Sequence, residues 1–248
     1  MNGHIPFQRL HNFRDLGGRP AEAGSTVRTG RLFRADSLAK LGGADWERFL
    51  TLDIGTVIDL RYSWEIDAKG RVPEHPSFTY HHLSVEHRPY DQPSLGPEVA
   101  TGPYLAERYL EVAHDGVREL SRAIEVIAAA GDRPAVFHCT SGKDRTGLLA
   151  ALVLTLLGVS EADIIEDFAL TGLASERLLA DWRAEHPERG PVWPGYGRAP
   201  EDVMRLFLAA LTERYGSVGG YIADQLDLVD GTVAALRRNL LEPAPAGS

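Results

Sequence analysis

The 248-residue chain predicts an α/β fold with a central, mainly parallel sheet flanked by helices. Three observations carry that expectation. Compact runs rich in β-branched and aromatic residues recur along the chain (GRLFRAD, GTVIDLR, FTYHHLSV and AVFHC), each the length and composition of a strand. Segments with apolar residues at helical spacing lie between them, and alternation of strand and helix is the mark of a parallel sheet. Two of the runs close on polar groups, Asp59 and Arg61 in one and His138 and Cys139 in the other. Ligands of such sheets gather at the carboxyl ends of the strands.

Residues 12–20 read as a turn-rich segment containing Gly17 and Gly18. A first strand falls within residues 30–36. Residues 44–55 carry a helical pattern that stops at Gly55, and strands follow within 55–61 and 78–85. The Pro-rich stretch 86–103 is long for a loop, and long loops in compact domains are often functional. Helices are expected over 104–114 and 117–130, then the AVFHC strand, then an apolar helix over 146–157 buried on most sides. Helical patterns return over 161–185 and 200–241. In the Pro/Gly-rich break between them, Trp193-Pro194-Gly195-Tyr196 reads as a packed turn rather than as a tip facing substrate. Residues 243–248 read as a disordered tail. One domain over residues 1–248 accommodates the whole pattern, with enough length for a real core.

Composition is that of a soluble globular chain, 44% hydrophobic and 25% charged, with a net charge of −9. An acidic chain is not an expected partner for nucleic acid or an anionic membrane. No run approaches the roughly 18 apolar residues of a membrane span. The N-terminus has no basic-then-apolar leader, so the expected setting is cytoplasmic, with unconventional secretion left open. Cys139 is the only cysteine and cannot form an intramolecular disulfide, which fits a reducing compartment.

That cysteine sits where an apolar strand gives way to a charged, glycine-containing turn that opens a helix: Cys139-Thr140-Ser141-Gly142-Lys143-Asp144-Arg145-Thr146. An inert core thiol needs no such neighbourhood. A loop of this length, closing on a helix N-terminus, can turn its backbone N–H groups inward as a nest for a tetrahedral oxyanion. Gly142 permits the dihedrals of a tight loop, and Gly147 lets the helix pack close to the sheet. The N–H dipoles and Arg145 favour the thiolate, which is the nucleophilic form. Arg145 offers a planar fork to two phosphate oxygens and matches the charge of the phosphoryl-transfer transition state. Thr146 can set a hydroxyl beside the sulfur and help it leave.

The leaving oxygen needs a proton donor. Asp144 is the first candidate, with Asp59 and Asp91 in reserve. Lys143 adds a second cation at the pocket rim, which favours substrates with more than one anionic group. His138 reads as a structural hydrogen-bonding group behind the loop. Asp59 and Arg61 read either as a buried salt bridge beneath the site or as groups that reach into it. A metal hydrolase using His81, His82 and His87 fits poorly: adjacent residues on a strand point to opposite faces, and no carboxylate set accompanies them.

HCTSGKDRTG resembles the signature of cysteine-dependent protein phosphatases, in the form found in atypical bacterial tyrosine phosphatases. NFRDLGG, GRLFRADSL, GTVIDLR and ERYGSVGGYI resemble segments of the same family, so the likeness runs from about residue 12 to residue 241. The resemblance implies a phosphotyrosine-phosphatase-like fold with no cofactor and no metal. It implies a phosphocysteine intermediate on Cys139, phosphate held by Arg145 and the loop, and an acid at Asp144. Phosphorylated protein is the implied substrate, and the lysine-containing loop adds phosphoinositide head groups. A helical lid over the pocket is also implied, here at about residues 164–198. Two other readings keep the loop. A small-molecule phosphatase acting on sugar, inositol or nucleotide phosphates would use the same chemistry, because the loop reads phosphate and not the alcohol. A non-catalytic phosphate-binding module would be expected to lack the cysteine, the arginine or the acid, and all three are present.

Overall fold

The computed structural model describes residues 3–190 and 192–244. The chain forms strands β1 (Arg14–Asp15), β2 (Pro20–Ala21), β3 (Ser25–Val27) and β4 (Leu32–Ala35), then helix α1 (Ala44–Leu50), β5 (Thr56–Asp59), α2 (Ser63–Lys69) and β6 (Thr79–His82). Helices α3 (Thr101–Asp115) and α4 (Val117–Ala129) lead to β7 (Ala135–His138), α5 (Asp144–Leu156), α6 (Glu161–Ala169) and α7 (Ser175–Glu185). The last elements are α8 (Glu201–Tyr215), α9 (Val218–Gln225), α10 (Thr232–Leu240) and β8 (Leu241–Pro243).

The main sheet has the order β1-β4-β7-β5-β6. Its four longer strands are parallel, and only β1 runs antiparallel, against β4. The fold is therefore the mixed α/β architecture with a mostly parallel sheet that the sequence predicts. Side chains alternate across the sheet as strand geometry requires. Leu32, Ile58, Ala135 and Phe137 enter one apolar cluster with the helices that follow β6. Phe33, Ala35, Val57 and Val136 enter a second, with Phe7, Phe13 and Phe49. Every β7 residue is buried, because β7 is the middle strand and both its faces are covered. Register sets Ala35, Asp59 and His82 level with one another across β4, β5, β7 and β6, with His138 among them. The residues just after them therefore share one rim.

Helix α5 leaves that rim and runs back through the core. All its residues from Thr146 to Leu154 are buried, and each buried leucine contributes roughly 1.5–3 kcal/mol over an exposed one. Gly147 has to be small: a Cβ there would stand 2.9 Å from the Phe168 ring on α6 and 3.5 Å from the Arg34 guanidinium.

Two sequence expectations need correction. Residues 243 and 244 are not part of a free tail. Pro243 pairs with Ser25 at the edge of a small sheet of order β2-β3-β8, where a proline costs no ladder bond, and the Ala244 N–H donates to the Gly24 carbonyl (2.9 Å). Residues 245–248 lie outside the described residues. The expected lid also starts too early. Ile164, Ile165, Asp167 and Phe168 on α6 are buried, so this helix belongs to the core, whereas α7 buries only Ser175.

Asp167 ties α6 to the opposite end of the chain. It accepts hydrogen bonds from Arg14 Nε (3.0 Å), Arg19 Nη2 (2.9 Å) and Arg34 Nη1 (2.5 Å). Burial by itself would raise its pKa, but the three guanidinium groups hold the carboxyl well below the usual carboxylate range. Replacing Asp167 with Asn should cost roughly 3–5 kcal/mol of unfolding free energy in urea, because the three buried arginines lose the anion they share. The sign with pH follows from the depressed value. The contribution is complete above the unfolded carboxylate pKa of about 3.9 and fades as pH falls towards the folded one. The acid limb of stability should therefore be shallower in the variant. A loss under about 1 kcal/mol would mean that other groups hold the arginines.

Candidate active site

Cys139 follows the central strand directly and is 1% exposed. The loop after it is held from outside by its carbonyl groups. The Ser37 N–H donates to the Thr140 carbonyl at 3.1 Å. Asn12 Nδ2 donates to the carbonyls of Ser141 (2.9 Å) and Gly142 (3.1 Å). Arg34 Nη2 donates to the Gly142 carbonyl at 2.7 Å. His138 Nδ1 lies 3.2 Å from the Cys139 carbonyl oxygen, and the Lys143 carbonyl accepts from Gly147 inside α5. Among the described residues, no backbone N–H from Thr140 to Asp144 donates a hydrogen bond within the chain. No side chain caps α5 either. With every carbonyl turned outward and the N–H groups unspent, the loop has the donor pattern of an anion nest. Gly142 is required for that shape: its φ is +67°, and a Cβ would stand 2.5 Å from the Ala35 carbonyl oxygen.

The donors are themselves fixed. Asn12 passes its amide oxygen to Arg14, one of the arginines on Asp167. Buried Asp36 accepts the N–H groups of His11 and Asn12, each at 3.1 Å. A continuous buried network thus runs from Asp167 through Arg14, Arg34 and Asn12 to the loop.

Arg145 is fully engaged. Its Nη1 and Nη2 donate to the two oxygens of Glu65 on α2 (2.5 and 3.1 Å), and its Nε lies 3.3 Å from Glu86 Oε2. The Thr140 hydroxyl also donates to Glu65. Burial would raise the Glu65 pKa, but Arg145 and Thr140 hold it below the ordinary value. Glu86 goes the other way. Burial, with the negative charges of Asp144 and Glu65, outweighs Arg145 and pushes it up to about 7. The carboxylates in turn hold the Arg145 guanidinium firmly protonated despite burial.

Asp144 opens α5 and accepts the Tyr109 hydroxyl at 2.9 Å. Lys143 is not at a rim. It is 2% exposed, with Nζ donating to the Arg198 carbonyl (3.1 Å) and 3.4 Å from Asp144 Oδ1. Thr146 is buried, and its hydroxyl has no partner among the described residues. Asp59 and Arg61 form the buried salt bridge of the two readings. Arg61 donates from Nε (2.9 Å) and Nη2 (2.7 Å) to Asp59, and reaches on to Ser37 Oγ and the Gly70 carbonyl. Burial would raise Asp59, but His138, 3.6 Å away, and Arg61 hold it well below the carboxylate range. Burial lowers His138, against the pull of Asp59.

Asp91 pairs with Ser94 and Arg189 at the surface. Trp193 is the packed turn expected: it is 1% exposed and donates Nε1 to the Val99 carbonyl at 2.9 Å. Helix α7 is pinned along its length, by Asp181 to His11 and Lys40 and by Glu185 to Lys69.

Sequence reading did not single out Asn12, Arg34, Glu65, Glu86 or Asp167. For Asn12 and Arg34 a signal existed, since both lie in segments that resemble the phosphatase family. Nothing local distinguishes Glu65, Glu86 or Asp167 from solvated carboxylates.

Comparison with known proteins leads to the tyrosine phosphatases. The sequence profile of the tyrosine phosphatase family matches residues 5–242. The chain is 30% identical to the triple specificity protein phosphatase PtpB of Mycobacterium tuberculosis, over 93% of this chain and 96% of that protein. It is 29% identical to a tyrosine-protein phosphatase of Nostoc commune, over 82% of this chain and 72% of the relative. A Cupriavidus necator protein with a provisional tyrosine-protein phosphatase name is 31% identical over 96% of this chain and 88% of its own length.

Asn12→Ala should test the carbonyl anchors. Each buried acceptor left unmet costs roughly 1–3 kcal/mol, so kcat/KM for an aryl phosphate should fall about ten- to a hundredfold. An unchanged kcat/KM in a folded variant would show that the loop holds its shape without Asn12.

Proposed function

The chain belongs to the tyrosine phosphatase family, and on that premise we propose that it hydrolyses phosphotyrosine in proteins through a phosphocysteine intermediate on Cys139. It is a phosphatase of the protein-tyrosine type. The observation that carries the mechanism is the loop itself: carbonyls held from outside, backbone N–H groups without a partner among the described residues, and a buried thiol at its start.

In this mechanism the phosphoryl group sits in the nest with Arg145 on two of its oxygens. The Cys139 sulfur attacks phosphorus, the bond from phosphorus to the phenolic oxygen breaks, and Asp144 gives its proton to that oxygen. Water then attacks the phosphocysteine, Asp144 takes the proton back, and the sulfur leaves as thiolate. Thr140, Ser141, Gly142 and Lys143 contribute backbone donors. His138, Asp59 and Arg61 support the strand ends from below. Helix α7 and residues 192–200 are the cover of the site, in place of the longer lid expected from residue 164.

Tyrosine takes first place among substrates because aromatic rings stand beside Arg145. Its guanidinium lies 5.6 Å from the Tyr62 ring centre, and Tyr62 stacks on Trp64 at 5.5 Å. Trp64 is 60% exposed, which leaves a face for a substrate ring. Phosphoinositide head groups have weaker support, because the cation expected to meet a second phosphate, Lys143, is buried under Arg198.

Phosphate release with chelator present should rank aryl phosphate and phosphotyrosine peptide above phosphoserine peptide, phosphoinositide, sugar phosphate and nucleotide. Cys139→Ser should lose about four orders of magnitude or more. Activity that survives in that variant would sink the mechanism. Asp144→Asn should slow alkyl and unactivated aryl esters by about a hundredfold or more while sparing esters with acidic leaving groups. Equal losses on both would remove Asp144 from the acid role.

A further inference from the structure

Two carboxylates compete for one guanidinium. A phosphoryl group needs an edge of Arg145 with two parallel N–H donors. Glu65 spans the Nη1/Nη2 edge, and Glu86 sits at Nε on the other. Substrate cannot take a paired edge while both stay.

They are not equally fixed. Glu65 also accepts the Thr140 hydroxyl and the Tyr62 N–H (2.9 Å), which makes it part of the first turn of α2. Glu86 lies in the long loop after β6; its one ion-pair partner among the described residues is Arg145 Nε, and its other side-chain hydrogen bond is from Tyr90 of the same loop. On the proposed reading of Arg145 as the phosphate ligand, we infer that Glu86 is a positioning residue. It holds Arg145 Nε in the empty site, yields it to the phosphoryl group, and takes up a proton as it does so.

The proton follows from the surroundings. Glu86 is 7% exposed, and a buried carboxylate that loses its cation is costly as an anion. The groups facing it from α5 and α2 are Arg145, Asp144, Glu65 and Tyr62, with Tyr90 from its own loop. Arg145 is the single cation among them. On the outer side, α3 and α4 line shallow crevices with Arg108, Glu111 and Asp115 and with Arg118, Glu119 and Arg122. Most of these are already matched: Arg108 with Glu111, Asp115 with Arg88, Glu119 with His87 and Arg122 with Glu125. Among the described residues Arg145 is the one cation that pairs with Glu86, and Arg108 lines the same crevice as Glu86 with its Nε unpartnered. The Glu86 carboxyl already titrates near 7 in the empty site. Bringing a dianion in and taking Nε away moves it further up, so binding above that pH draws one proton from solvent.

Inorganic sulfate is the probe, since its double charge does not change across this range. Binding is measured in the Cys139→Ser protein, so that no thiol titrates, with calorimetry in buffers of different ionisation enthalpy to count protons. Sulfate affinity should be level below about pH 7 and fall towards tenfold per pH unit above it, with close to one proton taken up at about pH 8. Adding Glu86→Gln should flatten the profile and abolish the uptake. The same slope and uptake in the double variant would overturn the inference. So would absence of proton uptake in the protein with Glu86 intact, a result that needs no substitution at 86. No sulfate binding at any pH would instead overturn the phosphate-site reading, and the Glu86 inference with it.

Discussion

One buried carboxylate sets the shape of the site from a distance. Asp167 touches no loop atom in the network described, yet it orients Arg34, which does, and Arg14, which holds Asn12 against the loop. Arg34 crosses from Asp167 to the Gly142 carbonyl, and Arg14 crosses from Asp167 to Asn12. Replacing Asp167 together with its arginines by packed apolar side chains could leave the fold as stable, since buried ion clusters are often matched by hydrophobic replacements. It could not hold carbonyl groups away from the anion pocket. The network is satisfied nearly throughout, and in a low dielectric such a network is stiff. Two buried guanidinium charges in excess also stand behind the loop, which suits a pocket for anions.

Carbonyl placement explains why segments far apart in the chain resemble the same family. Asn12 and Ser141 are 129 residues apart, and Arg34 and Gly142 are 108 apart. They meet because β1 pairs with β4 and β4 with β7. The four parallel strands β4, β5, β6 and β7, helix α5 and the tight loop at Gly142 were legible in the sequence, because strand composition, helical spacing and loop length are local signals; the short strands β1, β2, β3 and β8 were not. Long-range partners were not. Lys143 looked like a rim cation because lysine is seldom buried unpaired; here the Arg198 carbonyl and Asp144 give it partners. Helix α6 was expected in a cover because the family resemblance implies a lid there, and a resemblance does not say what the helix packs on. The end of the chain looked disordered because its prolines are poor ladder residues, but Pro243 sits on an edge where that costs little.

Arg145 shows the limit of reading a motif by its members. The sequence marks it as a phosphate ligand, and the fold adds two acids that the motif does not contain. A guanidinium in a buried pocket needs a counter-charge when no substrate is present, and Glu65 and Glu86 supply it. Their competition keeps the arginine aligned and gives substrate binding a proton stoichiometry. Cys139, at 1% exposure, is screened in the same state.

The account stands on the claim that phosphorus passes through Cys139. The direct measurement is to mix the unsubstituted protein with an aryl phosphate, quench in acid within the first turnover, and map the modified peptide by mass spectrometry. The account predicts one added phosphoryl group on the peptide holding Cys139, formed at the rate of the initial burst of phenol. Full turnover with no adduct, or an adduct on another residue, would contradict it.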